Sequence, residues 1–449
     1  MVRRPSRRTF IKTTAAIGAG YYVAGGLNAQ ESKSAIEEIR YACFGVGGKG
    51  QSDSADAART GKVVAFCDVD TDTLEKQGRR FKDGKAYTDY RKCLDEVGKN
   101  VDAVTISTPD HMHAPIGVKA MEMGLHCFCQ KPMTKSIEEA RVMSKIAAER
   151  KLVTQMGNQG TAGSALREAA AILKGGHLGK IKAVHIWTNR PVWPQGDVKP
   201  EAQPVPEGLN WDAWVGSADF VDYSPAYHPF KWRGFWAFGT GALGDMACHT
   251  LNMPFMGLDL RDPTSVTAQT SGHDQITFPK WSIIDYAFPQ NENRDALVFT
   301  WYDGGKLPPL DIVPDEAFNK AADGTKQLSA SGALVLGEKG AIYSGDDYCG
   351  SYKLIGVDKP AVDFKQSPGH FDEFAQGIKT NDPSLCMSNF PGYAGPLTET
   401  VLLGNLAVWS GEKVEWDAKN MKSSAPADAE FLIRRKYRDG YGLGRDQQA

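Results

Sequence analysis

The chain has 449 residues and a formal net charge of −2; 41% of the residues are hydrophobic and 24% are charged. These values are typical of a globular protein long enough for two or more domains. With so little net charge, nothing draws the chain to nucleic acid or to an anionic membrane surface, so neither is expected as a partner. Several of the eight cysteines lie in apolar runs, which favours buried free thiols over a disulfide framework.

The first 35 residues have the layout of a twin-arginine export signal followed by a linker. The basic segment 6–12, which contains Arg7 and Arg8, precedes an Ala- and Gly-rich stretch at 13–29. That stretch is too short and too rich in glycine to favour a transmembrane helix, although an uncleaved anchor stays open. We therefore expect export in the folded state by the twin-arginine translocation machinery. The expected location is periplasmic, with a membrane tether if the signal is not cleaved.

A dinucleotide-binding fingerprint follows the first predicted strand. Gly45, Gly47 and Gly50 form a G-x-G-x-x-G motif, which allows a tight turn, close approach to a pyrophosphate and close helix–strand packing. Together with Gly48 they are expected to contact the cofactor, whose phosphates would face the N-terminus of the next helix. Asp68 ends the next apolar run, where a carboxylate accepts ribose hydroxyls and repels a 2′-phosphate. The sequence thus predicts NAD in preference to NADP.

Strands and helices alternate over residues 36–159, which predicts an N-terminal Rossmann domain with a doubly wound parallel sheet. Residues 160–425 lack this alternation and are expected to form an α+β domain with a mixed or antiparallel sheet. Residues 426–449 show little periodicity and are expected to be an extended C-terminal tail. The predicted strands are 39–44, 62–68, 86–89, 101–107, 126–129, 153–156, 181–187, 265–270, 282–288, 295–301 and 333–336. The predicted helices include 114–123, 136–150, 165–174, 369–379 and 397–409.

Two polar loops follow buried strands of the predicted parallel sheet. Ligands lie at the carboxyl ends of such strands, so both loops are expected to border the nicotinamide half of the cofactor. Their candidate cofactor contacts are Thr108, Pro109, His111, His113, Gln130 and Lys131. The same rule places Lys131 beside the reacting carbon, which favours a catalytic role over a solvated loop residue.

A second cluster lies in the larger domain, at Asp245 and His249. Their spacing puts both side chains on one face of a helix. The glycines before them allow the backbone to approach another segment or molecule closely. A carboxylate beside an imidazole suits proton transfer near neutral pH, while a capping aspartate with a buried histidine is the structural alternative. The pair suits a metal as well, but no third ligand stands out, so no metal site is expected.

These motifs, with Pro132 directly after Lys131, occur in the same order in the Gfo/Idh/MocA oxidoreductases, named for glucose–fructose oxidoreductase and inositol dehydrogenase. The chain resembles that family over nearly its whole length after the export signal. The resemblance implies a Rossmann domain joined to an open-faced mixed sheet, and a pyranose, sugar acid or polyol as substrate. It also implies Lys131, Asp245 and His249 as the catalytic set. The family usually has glutamate where this chain has Gln130, so it stays open which groups hold the protons in the reaction.

The expected reaction is hydride transfer between a secondary alcohol carbon of a sugar and C4 of the nicotinamide. His249 would take the hydroxyl proton, Asp245 would orient His249 or a neighbouring hydroxyl, and Lys131 would stabilise the alkoxide. The loop over residues 190–236 is expected to recognise the substrate, unless its aromatic residues are packed core or a subunit contact. Its candidate substrate contacts are Arg190, Trp193, Tyr227, His228 and Arg233.

Because free NAD is scarce outside the cytoplasm, the nucleotide is expected to stay tightly bound and to be regenerated by a second substrate or an internal redox cycle. Two alternatives stay open: NAD-dependent cleavage of glycosides through transient oxidation and elimination, and a non-catalytic sugar-binding or regulatory protein. The open sheet face that the resemblance implies also favours a homo-oligomer.

Overall fold

The computed structural model describes residues 38–291, 294–320 and 324–444. The predicted export signal, residues 1–35, lies outside these ranges. Within the described ranges, no helix is both long enough and apolar enough to cross a membrane.

The first part of the chain forms a six-stranded sheet covered by helices. Its strands are β1 Ile39–Phe44, β2 Gly61–Cys67, β3 Lys85–Tyr87, β4 Ala103–Ile106, β5 His126–Cys129 and β6 Thr154–Met156. The helices are α1 Gly48–Thr60, α2 Thr71–Arg80, α3 Tyr90–Val97, α4 His113–Glu122 and α5 Ile137–Glu149. The spatial order is β3-β2-β1-β4-β5-β6, and every neighbouring pair runs parallel. The predicted doubly wound Rossmann fold is confirmed.

The sequence explains why these segments form a central sheet. β1, β4 and β5 are buried at nearly every position, as expected for strands covered on both faces. α5 begins directly after Ser136, whose backbone N–H donates to Glu139 Oε2 at 2.9 Å, which is one half of a capping box. Since all six strands run parallel, the loops that follow β1, β2, β4 and β5 lie at one edge, and the candidate site lies there.

The second part of the chain forms a nine-stranded mixed sheet and a small hairpin. Its strands are β7 Ile181–Trp187, β8 Ser265–Thr270, β9 Ser282–Phe288, β10 Leu297–Tyr302, β11 Asn319–Lys320, β12 Lys326–Gln327, β13 Gly332–Gly337, β14 Ala341–Ser344, β15 Lys353–Ile355, β16 Val414–Asp417 and β17 Lys422–Ser423. The order is β15-β14-β13-β7-β10-β9-β8-β16-β17, with β7 and β10 parallel and the other pairs of known register antiparallel. The predicted mixed sheet is confirmed. The sequence did not predict β11, β12 or β14 to β17, each of which is two to four residues long.

One long helix joins the two sheets through a shared apolar core. The helices of the second part are α6 Ser164–Lys174, α7 Trp211–Val215, α8 Gly241–Thr250, α9 Asn252–Leu258, α10 His370–Thr380, α11 Gly395–Ser410 and α12 Glu430–Ile433. α11 is buried along almost its whole length and packs against α5 as well as α8 and β8. A helix that is apolar on all sides needs such a position.

The predicted extended tail begins with a helical turn. α12 buries Leu432 and Ile433, and residues 434–444 then run without helix or strand. The side chains of Arg435 and Tyr441 are nevertheless buried. This segment is therefore held by individual side chains, which its sequence pattern does not reveal.

Candidate functional site

A cavity of about 630 Å³ lies at the carboxyl edge of the six-stranded sheet, within the size range of small-molecule sites. The glycine turn and the loops after β2, β4 and β5 line part of it, and residues of the second domain line the rest. The predicted site residues that line it are Gly45, Gly47, Gly48, Asp68, Thr108, Pro109, Gln130, Lys131, Arg190, His228, Arg233, Asp245 and His249.

The glycine turn leaves its backbone open to the cavity. Gly45 has a φ of +70°, and a Cβ there would lie 2.7 Å from the Ser107 carbonyl oxygen, so a larger residue does not fit. Gly50 lies behind the turn, where a Cβ would be 1.7 Å from the Gly45 carbonyl oxygen. At Gly48, in contrast, no atom lies within 4 Å of the Cβ position. The turn thus presents bare backbone and a helix N-terminus to the cavity, as a diphosphate requires.

Two carboxylates define one end of the cavity. Asp68 Oδ2 accepts the backbone N–H groups of Val46 and Gly47 at 2.9 and 3.2 Å, so the side chain is fixed against the glycine turn. Burial raises the pKa of Asp68, and backbone N–H donors oppose that rise. Asp70 caps α2 by accepting the N–H of Asp72 at 3.0 Å. A 2′-phosphate at this end would meet two acids, which favours NAD over NADP.

Gln130 donates a hydrogen bond to a carboxylate that the sequence patterns did not mark. Asp53 on α1 is 2% exposed, and its Oδ2 accepts from Gln130 Nε2 at 2.9 Å and from Ser107 Oγ at 2.7 Å. Its other oxygen pairs with the Lys49 ammonium. The amide at position 130 therefore matches a buried anion, whereas a glutamate there would face Asp53 with like charge. The sequence did not mark Asp53, because an aspartate on a polar helix is usually exposed to solvent.

Replacing Gln130 with glutamate is expected to lower the free energy of unfolding by about 3 kcal/mol at neutral pH, because a second carboxylate would lie against Asp53 in a buried site. One of the two acids should then have a raised pKa in the folded state, so the loss should shrink as the pH falls towards about 5. Urea unfolding of Gln130→Glu at both pH values measures this. Gln51→Glu, at an exposed position of α1, is the matched control, and equal losses in both variants would contradict this role of Asp53.

Lys131 and Asp245 contact each other in the cavity although they come from different domains. Lys131 Nζ donates to Asp245 Oδ1 at 2.7 Å and to the Asp245 carbonyl oxygen at 3.0 Å. Arg233 Nε lies 3.3 Å from the same carboxylate oxygen, and its guanidinium lies over the Trp232 ring. Burial alone would raise the pKa of Asp245, but the charges of Lys131 and Arg233 outweigh it and lower the pKa to about 2. Asp245 is therefore an anion that fixes the Lys131 ammonium.

His249 lies one turn further along α8, and its environment keeps the ring neutral. The hydrogen bonds described for the Asp245 carboxylate come from Lys131 and Arg233, so Asp245 orients Lys131. That it also orients His249 or a neighbouring hydroxyl stays a prediction. Burial and then the nearby Lys131 charge lower the pKa of His249 well below its ordinary value. His249 Nδ1 is buried and has no hydrogen-bond partner among the described residues. The neutral imidazole is the protonation state of histidine that can accept a proton.

Tyr348 is a cavity residue that the sequence analysis missed. It follows β14 in a turn that Asp346 holds, since the Asp346 carboxylate accepts the N–H groups of Tyr348, Gly350 and Ser351 at 2.8, 3.0 and 3.3 Å. The side chain is 40% exposed, and its ring lies edge-on to the His249 ring, with 4.8 Å between the centroids. No local signal marks it, because its approach to α8 depends on how the second sheet folds.

Two histidines predicted to contact the cofactor do not line the cavity. His113 is buried, with its ring nitrogens 2.9 and 2.8 Å from the carbonyl oxygens of Pro132 and Thr108. It therefore ties the two strand-end loops together. His111 Nε2 lies 2.9 Å from the Trp214 carbonyl oxygen, and burial lowers the pKa of His111 to about 3. Both positions looked like ligand contacts because a polar residue after a strand usually faces the edge of the sheet.

Two predicted substrate contacts are packed residues, the alternative that the sequence left open. Trp193 is buried and donates from Nε1 to Gln195 Oε1 at 2.9 Å. Tyr227 is buried against the rings of Phe235 and Phe238. Across the described ranges, no group of three His, Cys, Asp or Glu side chains is placed to hold a metal ion.

Two models of one protein family match the chain. The model described as "Oxidoreductase family, NAD-binding Rossmann fold" matches residues 39–158. The model described as "Oxidoreductase family, C-terminal alpha/beta domain" matches residues 175–293. Together they cover more than half of the chain, in the order in which the two sheets follow each other.

Individual relatives match the chain in part. Levoglucosan dehydrogenase of Pseudarthrobacter phenanthrenivorans is 26% identical over 200 residues, which is 44% of this chain and 43% of that protein. An alpha-N-acetylgalactosaminidase of Shewanella oneidensis is 29% identical over 161 residues, which is 30% of this chain and 35% of that protein. The chain thus spans less than half the length of these two relatives.

A solved dehydrogenase has the same fold. The crystal structure of the WlbA dehydrogenase from Chromobacterium violaceum, in complex with NADH and UDP-GlcNAcA, matches with a TM-score of 0.61 and 17% identity. The match covers 86% of this chain and 98% of that chain. The two family models, which together match more than half of the chain, show that the chain belongs to the Gfo/Idh/MocA family of oxidoreductases, with an N-terminal NAD-binding Rossmann domain.

Proposed function

We propose that the chain is an NAD-dependent dehydrogenase that oxidises a secondary hydroxyl of a sugar, a sugar acid or a polyol, or reduces the matching ketone. One observation carries the proposal. The ammonium of Lys131 and the neutral imidazole of His249 line the same cavity as the glycine turn and Asp68. A nucleotide-binding turn, a cation and a proton acceptor therefore share one space, as oxidation of an alcohol requires.

The residues at the carboxyl edge of the first sheet fit NAD. The bare backbone of residues 45–48 would hold the diphosphate, and Asp68 and Asp70 would accept ribose hydroxyls. Thr108 and Pro109 would border the nicotinamide. Bound NAD would supply the two-electron oxidant.

The chain's own side chains would handle the proton and the charge. His249 is neutral and accepts the proton of the substrate hydroxyl. The Lys131 ammonium stabilises the negative charge that develops on the oxygen, and Asp245 holds that ammonium at 2.7 Å. Because the pKa of Asp245 is lowered to about 2, Asp245 stays ionised and donates no proton.

The substrate class rests on the cavity wall and on two similar proteins. Arg190, His228 and Arg233 offer hydrogen-bond donors to hydroxyls or a carboxylate, and the exposed ring of Tyr348 offers a flat face to sugar C–H groups. The relative named levoglucosan dehydrogenase and the fold neighbour in complex with UDP-GlcNAcA support the same class.

Replacing Tyr348 with alanine is expected to raise the KM for pyranose substrates roughly fivefold, because a stacked ring contributes about 1 kcal/mol. The KM for acyclic polyols, which present no flat ring face, should rise much less. Steady-state kinetics on both substrate kinds measures the difference. Tyr348→Phe keeps the ring and is the matched control. An equal rise in KM for cyclic and acyclic substrates would contradict a stacking role.

We further propose that the protein is exported by the twin-arginine machinery, that it carries tightly bound NAD in the periplasm, and that it forms a homo-oligomer. The Arg7-Arg8 motif and the Ala- and Gly-rich stretch after it support export. Scarce external NAD favours a nucleotide that stays bound and is regenerated in place. The exposed apolar side chain of Val298 on β10 of the second sheet supports self-association.

Protein purified from the periplasm of a host with a twin-arginine system tests function and export together. Mass spectrometry of the released ligand should identify NAD or NADH. A panel of sugars, sugar acids and polyols is then screened for a change in nicotinamide fluorescence, and at least one member should reduce the bound nucleotide. Protein that contains no nucleotide and binds none on addition would overturn the proposal.

Cleavage of glycosides through transient oxidation is the second candidate, favoured by the similarity to the alpha-N-acetylgalactosaminidase. It would use the same cavity and the same first step. Release of the aglycone from aryl glycosides without net NADH formation would identify it, whereas net NADH formation identifies the dehydrogenase. Sugar binding that never changes the oxidation state of the nucleotide would identify a non-catalytic sugar-binding protein.

A further inference from the structure

One wall of the cavity is a segment of the second domain, residues 208–217, whose Ala213 and Trp214 line it. The Asn210 N–H donates to the Val69 carbonyl oxygen at 2.8 Å, which anchors this segment to the loop after β2. That loop also carries the two carboxylates at one end of the cavity. The 208–217 segment therefore borders the end where the adenosine half of a dinucleotide is expected.

The C-terminal strap, defined as residues 434–444, holds the far end of this segment. Arg435 is 6% exposed, and its guanidinium donates to Ser217 Oγ at 2.9 Å and to the His111 carbonyl oxygen at 3.0 Å. Ser217 Oγ donates to the same carbonyl oxygen at 2.6 Å. Glu139 Oε1 lies 3.3 Å from the Arg435 guanidinium and balances its positive charge. Arg435 thus fastens the 208–217 segment to the loop after β4, which also lines the cavity.

A second strap arginine holds the middle of the segment. Arg438 donates to the Gly216 carbonyl oxygen at 2.9 Å, to Asp212 Oδ1 at 2.7 Å and to the Asp212 carbonyl oxygen at 2.6 Å. The Gly216 carbonyl lies just past the end of α7, where backbone acceptors lack helical partners. Arg438 therefore satisfies an acceptor that the short helix leaves open.

A strap tyrosine contacts another residue of the cavity wall. The Tyr441 ring lies against Tyr90, with 6.4 Å between the centroids, and Tyr90 lines the cavity. The Tyr441 hydroxyl donates to Asp212 Oδ2 at 3.1 Å, and the Arg91 guanidinium lies 4.1 Å from the ring centroid. Two separate parts of the cavity wall thus depend on the same strap.

We propose that Arg435 and Arg438 are positioning residues that hold the 208–217 segment against the nucleotide and thereby slow nucleotide release. This rests on the proposed function, because it takes a dinucleotide as the occupant. Charge-assisted hydrogen bonds from a planar guanidinium to several acceptors fix geometry more tightly than neutral pairs. Without them, Asp212, Gly216 and Ser217, which flank Ala213 and Trp214 in the chain, lose these hydrogen bonds. Slow release suits a protein that is exported with its nucleotide.

The dissociation rate of NADH from the full-length protein tests the proposal. NADH is displaced by excess NAD, and the loss of its fluorescence is followed in Arg435→Ala, Arg438→Ala and the double variant. The double variant should release NADH at least about tenfold faster, and each single variant should show a smaller increase. Arg438→Lys should recover little, because one ammonium does not reproduce the three directed hydrogen bonds. The KM for NAD should rise in parallel.

Arg434→Ala is the matched control, because Arg434 also belongs to the strap but pairs with Glu430 and Glu138 near the surface. Its NADH release should match the wild type. If the double variant does not fold, the rate of NADH release from Arg438→Ala tests the proposal by itself. The Arg438 side chain is 19% exposed, and its loss leaves the Arg435 contacts intact. Folded variants that release NADH at the wild-type rate overturn the strap proposal. Wild-type protein that binds no NADH overturns the proposed function instead.

Discussion

Replacing Lys131 with alanine is expected to lower kcat by a factor of about 10²–10³ while NAD still binds, because the variant loses the cation next to the developing negative charge. The glycine turn and Asp68 hold the nucleotide without help from Lys131, so NADH affinity should stay close to that of the wild type. Steady-state kinetics with the best substrate of the panel gives kcat. Fluorescence titration with NADH gives the affinity.

The control for Lys131→Ala has to separate chemistry from stability. The single variant leaves Asp245 buried with Arg233 as its remaining partner, and breaking a buried ion pair is itself destabilising. The double variant Lys131→Met with Asp245→Asn removes both charges. It should melt at a higher temperature than Lys131→Ala and still be inactive. Turnover that returns in the double variant would assign the loss to instability rather than to the missing ammonium.

Replacing His249 with glutamine is expected to lower kcat/KM by a factor of about 10²–10⁴, the range for a positioned general base. The wild type should also have an unusual pH profile. Because burial and the Lys131 charge lower the pKa of His249, the imidazole stays neutral as the pH falls through about 6.5, the ordinary value. The rate should therefore stay level there and fall at more acidic pH. The glutamine variant has no group to protonate and should lack this acid limb.

The pH profile of kcat/KM in the free enzyme gives a direct comparison of the two proteins. An acid limb centred on the ordinary histidine value in the wild type would show that the ring is not desolvated. An acid limb that persists in His249→Gln would belong to another group. Asp110 is then the first candidate, because it lines the same cavity and burial raises its pKa.

The Rossmann half of the fold could be predicted almost element by element. Its central strands β1, β4 and β5 are apolar runs covered on both faces. Helices separate the strands, and the glycine fingerprint sets the edge at which the site lies. The second sheet was harder to predict. β14 to β17 are two to four residues long, and β16 joins the sheet by pairing with β8, which is distant in sequence.

The site was predictable where a residue follows a regular element directly. Lys131 follows β5 directly, and Asp245 and His249 share one face of α8, so local geometry explains these placements. That α8 meets the carboxyl edge of the first sheet was implied by the family resemblance and not by local geometry. His113 has an equally suggestive position, yet both of its ring nitrogens face backbone carbonyls. Tyr348 reaches His249 from a turn in the second sheet. Such contacts are set by tertiary packing, which no local pattern encodes.

Helix α11 lies between both domains, in contact with α5 on one side and with α8 and β8 on the other, and it is buried almost throughout. A rotation of the two domains away from each other would expose their shared hydrophobic core to water. A large hinge motion around the substrate is therefore energetically costly for this protein. Substrate and product therefore have to enter and leave past the surface loops at the opening of the cavity. The rate of loop opening, rather than domain rotation, is then the expected limit on how fast product leaves.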